Sequence, residues 1–227
     1  MTRMFGMVNT KPWNPLGGGP CKHFCPYCWS MGEKGLVKKY NMKKYQGESR
    51  LIQKEFNRTF KEGKFCFVCD MLDLFGAWVS SEWIQLVLNH IAKFPKTTFL
   101  LLTKNPRRYH EFEIPENCIC GATIETNKYF GQKTMGYAPT PGQRWEALAT
   151  LKYKRKMVSI EPIMKFNLEY FVFMMRSIEP EFIYCGMDNY SNNLPESSLE
   201  ETMKLIEKLR EFTDVRTKTL RKAWNDE

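Results

Sequence analysis

Three things are scarce in this sequence: long apolar runs, acidic side chains and histidine. Its greasiest stretches, such as Phe65–Val68 and Phe99–Leu102, are strand-sized. A helix that crosses a bilayer needs ~20 apolar residues, so no transmembrane helix and no membrane partner are expected. The segment from Met1 to Met7 carries no apolar stretch before a small-residue cleavage site. A secretory signal is therefore not read there, and a cytoplasmic location is expected. Asp and Glu total 25 against 34 Lys and Arg, a formal net charge of +9, which favours anionic partners. No internal repeat, low-complexity segment or linker stands out, which predicts one domain over residues 1–227. With 43% hydrophobic and 26% charged residues, the chain can bury a core and fold as a globule.

What is there is a rhythm of short apolar runs and longer amphipathic ones. Strands are predicted at Phe65–Cys69, Thr98–Leu102, Ile119–Ile124, Lys156–Ile160 and Phe182–Cys185. Several are apolar almost throughout, as strands buried on both faces are. Helices are predicted at Ser81–Phe94, Leu168–Ile178 and Ser198–Phe212, with further ones over Glu48–Phe60 and Gln143–Leu151. Alternation of this kind means βαβ units and a parallel sheet. The chain is shorter than the ~250 residues typical of a closed eight-fold barrel, so an incomplete barrel or an open doubly wound sheet fits better. The Gly131–Gly142 stretch, rich in Gly and Pro, is predicted to be a long loop of the kind that covers sites.

Eight cysteines without a secretion signal argue against a disulfide framework. Three of them sit close together, at Cys21, Cys25 and Cys28, on a loop punctuated by Gly17, Gly18, Gly19, Pro20 and Pro26. Three thiolates on one short loop can hold three corners of a cubane iron–sulfur cluster and leave one iron open. Tyr27, beside the last cysteine, would shield the cluster or touch its ligand. A structural zinc site competes with this reading, but it wants four ligands and usually paired C-x2-C spacings. The fourth is missing: His23 lies inside the loop, and His90 and His110 fall in helical segments. Cys66, Cys69, Cys118, Cys120 and Cys185 lie on or beside strands, and core packing is expected of them.

The C-x3-C-x2-C spacing with an aromatic before the third cysteine resembles the signature of the radical SAM superfamily. Other segments follow in order: Trp13-Asn14-Pro15, Asp73-Leu74-Phe75-Gly76, Leu101 to Pro106, Gly121 to Thr126, and Ser159-Ile160-Glu161-Pro162. Together, from about Trp13 to Cys185, they resemble a small phage-associated radical SAM family related to the spore photoproduct lyase branch. The resemblance implies an α/β fold, a partial (β/α)6 TIM-like barrel with helices outside and the cluster loop after the first strand. It implies a [4Fe-4S] cluster and S-adenosylmethionine as cofactors. It also implies reductive cleavage to a 5′-deoxyadenosyl radical that abstracts hydrogen from a substrate, and an electron donor such as flavodoxin or ferredoxin.

In barrels of this kind, functional side chains gather at the C-terminal ends of strands. The predicted strand ends are polar here: Asp70 and Asp73, Thr103 and Lys104, Glu125 and Thr126, Glu161, and Asp188. If S-adenosylmethionine binds, Asp70 or Asp73 suits its ammonium, Lys104 its carboxylate, and Glu125 or Thr126 its ribose or sulfonium side. Superfamily members commonly carry a Gly-Gly-Glu turn where this chain has Asp70-Met-Leu-Asp73, so either aspartate can take the amino-group role. Glu161 and Asp188 lie further around and would address substrate.

Basic residues cluster at Lys34–Lys44, with Tyr40 and Tyr45 interleaved, and at Lys104, Arg107 and Arg108. They recur at Lys152–Lys156 and near Arg216, Lys218, Arg221 and Lys222. Cations mixed with aromatics suit a nucleic-acid or nucleotide substrate. The Lys34–Tyr45 segment is the better candidate because it adjoins the cluster loop; Lys152–Lys156 reads as solvated surface. Two rival functions remain at this stage: a zinc-stabilised nucleic-acid-binding module without catalysis, and a cluster-based redox sensor.

Overall fold

The structure is a computed structural model that describes residues 11–224, together with the backbone of a small hairpin in which Arg3–Met4 pairs antiparallel with Met7–Val8. Six strands form the sheet: β1 (Phe65–Val68), β2 (Thr98–Thr103), β3 (Cys118–Thr123), β4 (Lys156–Ile160), β5 (Phe182–Cys185) and β6 (Asp214–Thr217). All neighbours pair in parallel, in sequence order from β1 to β6. Beyond β1 the sheet gains one more residue, Trp13, which bridges in parallel to Val68. Its backbone bonds Phe67 O and Cys69 N on either side. The cysteine loop therefore leaves a single bridging residue rather than a full first strand. The fold is the expected α/β partial barrel with helices outside.

Side chains alternate along each strand, so the sheet has an inner and an outer core. Phe65, Phe67, Leu100, Ile119, Met157 and Phe182 fill the barrel interior. Cys66, Phe99, Leu101, Cys120, Val158 and Ile183 face the helices. Those helices are α2 (Ser81–Ala92), α4 (Pro141–Ala149), α5 (Leu168–Ile178) and α6 (Leu199–Arg210). Their starts are capped as the sequence leads one to expect. Ser80, Thr140, Asn167 and Ser198 each accept a backbone N–H, and Thr140 and Ser198 form full capping boxes with Gln143 and Glu201. Two shorter helices, α1 (Leu36–Lys39) and α3 (Gln132–Met135), belong to the loops at the mouth.

Four expectations need correction. The segment Glu48–Phe60 is not an α-helix: Arg50–Leu51 pairs antiparallel with Leu16–Gly17, and Gln53–Asn57 forms 3-10 turns. The cause is close approach to the glycine loop. A Cβ on Gly18 would lie 2.0 Å from Glu48 O, so this stretch lies extended against it. The Gly131–Gly142 loop contains α3 and the first turn of α4. Strand β6 lies outside the predicted set, because Asp214-Val-Arg-Thr is polar at alternate positions and buries only Val215 fully. Fourth, several basic residues are not surface groups. Lys156 is buried, and Arg108 is buried while binding Gly76 O, Val79 O and Ser81 Oγ.

Candidate active site

A cavity of about 690 Å3 opens at the C-terminal ends of the strands, where parallel barrels place their sites. Cys21, Cys25 and Cys28 line one side of it. The cysteine loop alternates: Lys22, Phe24 and Pro26 face solvent, whereas His23, Cys25 and Tyr27 are buried. That alternation turns Cys25 away from water, while Cys21 and Cys28 stay half-buried. Burial pushes the Cys21 and Cys25 thiols up; the Asp73 charge adds to this at Cys21, whereas Lys104 partly opposes it at Cys25. Buried thiols of this kind become thiolates only beside a cation or a metal. The Met31 backbone N–H donates to Cys28 Sγ at 3.3 Å.

The donor set can be compared with each metal. Among the described residues, no three His, Cys, Asp or Glu side chains converge on one ion. A zinc site needs such convergence, with every sulfur ~2.3 Å from one centre. A cubane does not, since each cysteine binds a different iron. Cys69 also reaches the cavity wall, but its thiol answers to the Leu16 backbone, Asp70, Asp73 and Lys44 rather than to the loop cysteines. Cys66, Cys118, Cys120 and Cys185 are buried in the outer core, as expected of packing residues. The residues present fit a cluster held by three cysteines.

The expected site residues divide into two groups. Tyr27, Asp70, Asp73, Thr103, Lys104, Glu161 and Asp188 line the cavity with the cysteines; Glu125 and Thr126 stand behind its wall. Thr126 is fully buried, and its hydroxyl donates to Lys165 O. Asp73 is a hub. It accepts from the Phe75 and Lys104 backbone N–H groups and the Thr103 hydroxyl, and lies 2.8 Å from His23 Nε2. Burial would raise its carboxyl, but the His23 contact and the other donors hold it below the usual carboxylate range. Asp70 accepts from Asn14 Nδ2 at 2.7 Å, and burial raises its carboxyl.

Glu125 forms the second buried centre. Its carboxylate accepts from the Tyr27 hydroxyl at 2.7 Å and from Lys104 Nζ, and Arg144 Nη1 lies 2.8 Å away. Lys104 Nζ also reaches the Tyr27 oxygen at 2.9 Å. Burial would push Glu125 up; Arg144 and Lys104 more than offset this and hold it at about 2. Burial, and then the Glu125 charge, push the Tyr27 phenol well up. This buried network fixes the tyrosine beside Cys28 and the lysine at the cavity edge.

On the far wall, Glu161 pairs with Lys218 at 2.8 Å, above Tyr184 and Ser159. Asp188 has a loop-shaping part: its oxygens accept from the backbone N–H groups of Tyr190 and Asn192 and from the Asn192 amide. Lys34 donates to Tyr190 O and Ser191 O, so the cysteine side clasps the far side across the mouth. In the Lys34–Tyr45 segment, Tyr45 is buried and Lys44 pairs with Glu55 at 2.6 Å, leaving Lys38, Lys39, Tyr40 and Lys43 outward. The carboxylate partners of Arg144 and Lys218 escaped sequence reasoning, although Lys218 is among the basic residues named there. Arg144 sits in a helical pattern with nothing to mark its carboxylate, and Lys218 follows the strand β6 that was not foreseen.

The model of the family described as "Protein of unknown function (DUF5131)" matches residues 8–172. The chain belongs to this family. No curated protein matches it in sequence. In fold, this DUF5131 chain is similar to spore photoproduct lyase. One such structure is a variant with bound AdoMet and dinucleoside spore photoproduct. It aligns with TM-score 0.55 at 14% identity, covering 92% of this chain and 65% of that one. Two other lyase variants align at TM-scores 0.53 and 0.52, with 15% and 16% identity, each covering 93% of this chain and 65% of theirs. The chain thus spans about 65% of the length of those lyases. No helix among the described residues is long and apolar enough to cross a membrane.

Proposed function

We propose that this chain is a radical SAM enzyme. The observation that carries the reading is that three thiols from one short loop, Cys21, Cys25 and Cys28, line a single cavity at the C-terminal mouth of a parallel partial barrel. Cys21, Cys25 and Cys28 would hold a [4Fe-4S] cluster. When bound, that cluster and S-adenosylmethionine supply a 5′-deoxyadenosyl radical for hydrogen abstraction. The chain's own residues bind, orient and exclude water. Asp70 suits the cofactor's ammonium better than Asp73, whose two oxygens already serve His23, Thr103 and two backbone groups. Lys104 has three donors, so it can share its ammonium between Glu125 and an incoming carboxylate. Thr103 and Tyr27 shape the wall beside it, with Glu125 and Thr126 behind.

Glu161 and Lys218 face the remaining space and would meet the substrate. A nucleic acid or nucleotide suits the chain's positive charge, and the lyase structure with a bound dinucleoside is in keeping with it. The reading places the enzyme in the cytoplasm, with an external electron donor.

The test is anaerobic reconstitution with iron and sulfide, then reduction with dithionite in the presence of S-adenosylmethionine. Formation of 5′-deoxyadenosine supports the proposal. A colourless protein with one zinc per chain contradicts it. A clustered protein that leaves S-adenosylmethionine intact points to redox sensing instead.

A further inference from the structure

The buried centre around Glu125 has an uneven charge. Glu125 is fully buried and brings one negative charge, and two cations share it. Arg144 Nη1 lies 2.8 Å from Oε2, and Lys104 Nζ bonds Oε1. Tyr27 completes the centre as a neutral phenol, because burial and then the Glu125 charge push its pKa well up. Asp73 accepts from the Lys104 backbone N–H rather than from its ammonium, and its second partner is His23. Among the described residues no other carboxylate pairs with Lys104 or Arg144. The centre therefore holds one positive charge in excess. Away from water such a charge is costly unless a counter-ion meets it.

The two cations differ in access. Arg144, on α4, is buried, and its Nη1 also donates to Thr123 O. It does not reach the cavity, whereas Lys104, just after β2, lines it. The Lys104 ammonium spends one donor on Glu125 and one on the Tyr27 oxygen at 2.9 Å, and it sits 4.7 Å from the Tyr27 ring centroid. An ammonium has three donors, so one is left for the cavity. If Glu125 met Lys104 alone, the pair would be neutral and closed on itself. Arg144 satisfies the other half of the carboxylate, so the excess charge surfaces at Lys104.

We infer that Arg144 is a positioning residue: without touching the ligand, it makes the Lys104 ammonium a site for one carboxylate at the cavity edge. The identity of that carboxylate, the one carried by S-adenosylmethionine, rests on the radical SAM reading. One excess charge and one free donor match a singly charged carboxylate; a doubly charged phosphate would overshoot both.

The experiment has two readouts on the full-length chain. In the first, the reconstituted protein is titrated with S-adenosylmethionine and with its decarboxylated form. Arg144→Gln should bind S-adenosylmethionine about tenfold more weakly and the decarboxylated form within about twofold of wild type, at unchanged iron content. Equal weakening of both ligands overturns the inference. So does loss of iron with affinity intact in the loaded fraction, which would assign the excess charge to the cluster. In the second, the apoprotein is melted in 100 mM acetate and in 100 mM chloride. Acetate should raise the wild-type midpoint by about 2–4 °C over chloride. Lys104→Met and Arg144→Gln should lose this difference. Glu125→Gln/Arg144→Gln should regain it, because Lys104 is then the only charge left in the centre. That double variant buries no unpaired charge, so it serves even if Arg144→Gln does not fold. No acetate effect in the wild type, or none in the folded double variant, overturns the inference. If the loaded protein cleaves no S-adenosylmethionine, the radical SAM reading fails, while the acetate melts still decide whether Arg144 makes Lys104 an anion site.

Discussion

His23, inside the cysteine loop, lies 2.8 Å from Asp73 just beyond the end of β1, and both are buried. The pair ties the loop to the sheet, and Asp73 carries three further donors from Phe75, Thr103 and Lys104. An aspartate in this position is a structural hub before it is anything else. Asp73→Ala would strand several buried donors and should cost ~3–5 kcal/mol of stability. His23→Ala should cost ~1–3 kcal/mol. Denaturant unfolding of the apoprotein measures both. Near-wild-type stability of Asp73→Ala would show that the hub is misassigned.

The three loop cysteines should be individually indispensable to iron. Cys21→Ala, Cys25→Ala and Cys28→Ala should each yield protein without a stable cluster. Cys185→Ala, in the outer core, should keep full iron. Iron and sulfide analysis after anaerobic reconstitution decides it, and full iron in a Cys25 variant would remove that residue from the ligand set.

Glu125 makes stability depend on acid. Its carboxyl sits at about 2 when folded, against an ordinary 4.5. A depressed carboxylate contributes stability that is full above its unfolded value and is lost as pH falls through the folded one. The stability difference between the wild type and Glu125→Gln should therefore be constant from pH 6 to 8 and shrink between about pH 4.5 and 2. Its size at neutral pH should be ~3–5 kcal/mol, because Lys104 and Arg144 lose a buried partner. A difference that grows on acidification would reverse the assignment. Asp73 titrates in both proteins and cancels.

Gly136 holds the 126–142 segment against the cysteine loop. It sits at φ +72, and a Cβ there would meet His23 O and Cys25 N. Gly136→Ala should cost ~1–3 kcal/mol from the backbone alone. It should also speed iron loss to a chelator, because the loop must shift. Gly142, with open space around it, is the control: Gly142→Ala should change neither reading.

Much of this was legible in the sequence. Fully apolar strands such as Phe65–Val68 and capped helices such as Leu199–Arg210 declare themselves, because local pattern and tertiary role agree. The cysteine loop was legible because its chemistry is concentrated in eight residues. The misses share a physical reason: their partners are distant in sequence. Glu48–Phe60 has helical spacing, but the glycine loop leaves it no room. Arg144 and Glu125 are 19 residues apart and meet only after β3 and α4 are packed. Lys218 reads as one of several basic residues near the end of the sequence, with nothing to mark its carboxylate until β6 carries it to Glu161. Asp188 shares the strand-end pattern of the site residues, yet its oxygens are occupied by its own turn.

The most direct measurement is electron paramagnetic resonance of the anaerobically reduced, fully loaded protein, before and after S-adenosylmethionine is added. An iron without a protein ligand can accept the cofactor, so the spectrum should change on addition, and Lys104→Ala should need more cofactor for the same change. A spectrum that stays the same at saturating cofactor, in protein with about four irons per chain, would mean that every iron is already ligated by the protein, and the proposed chemistry could not occur here.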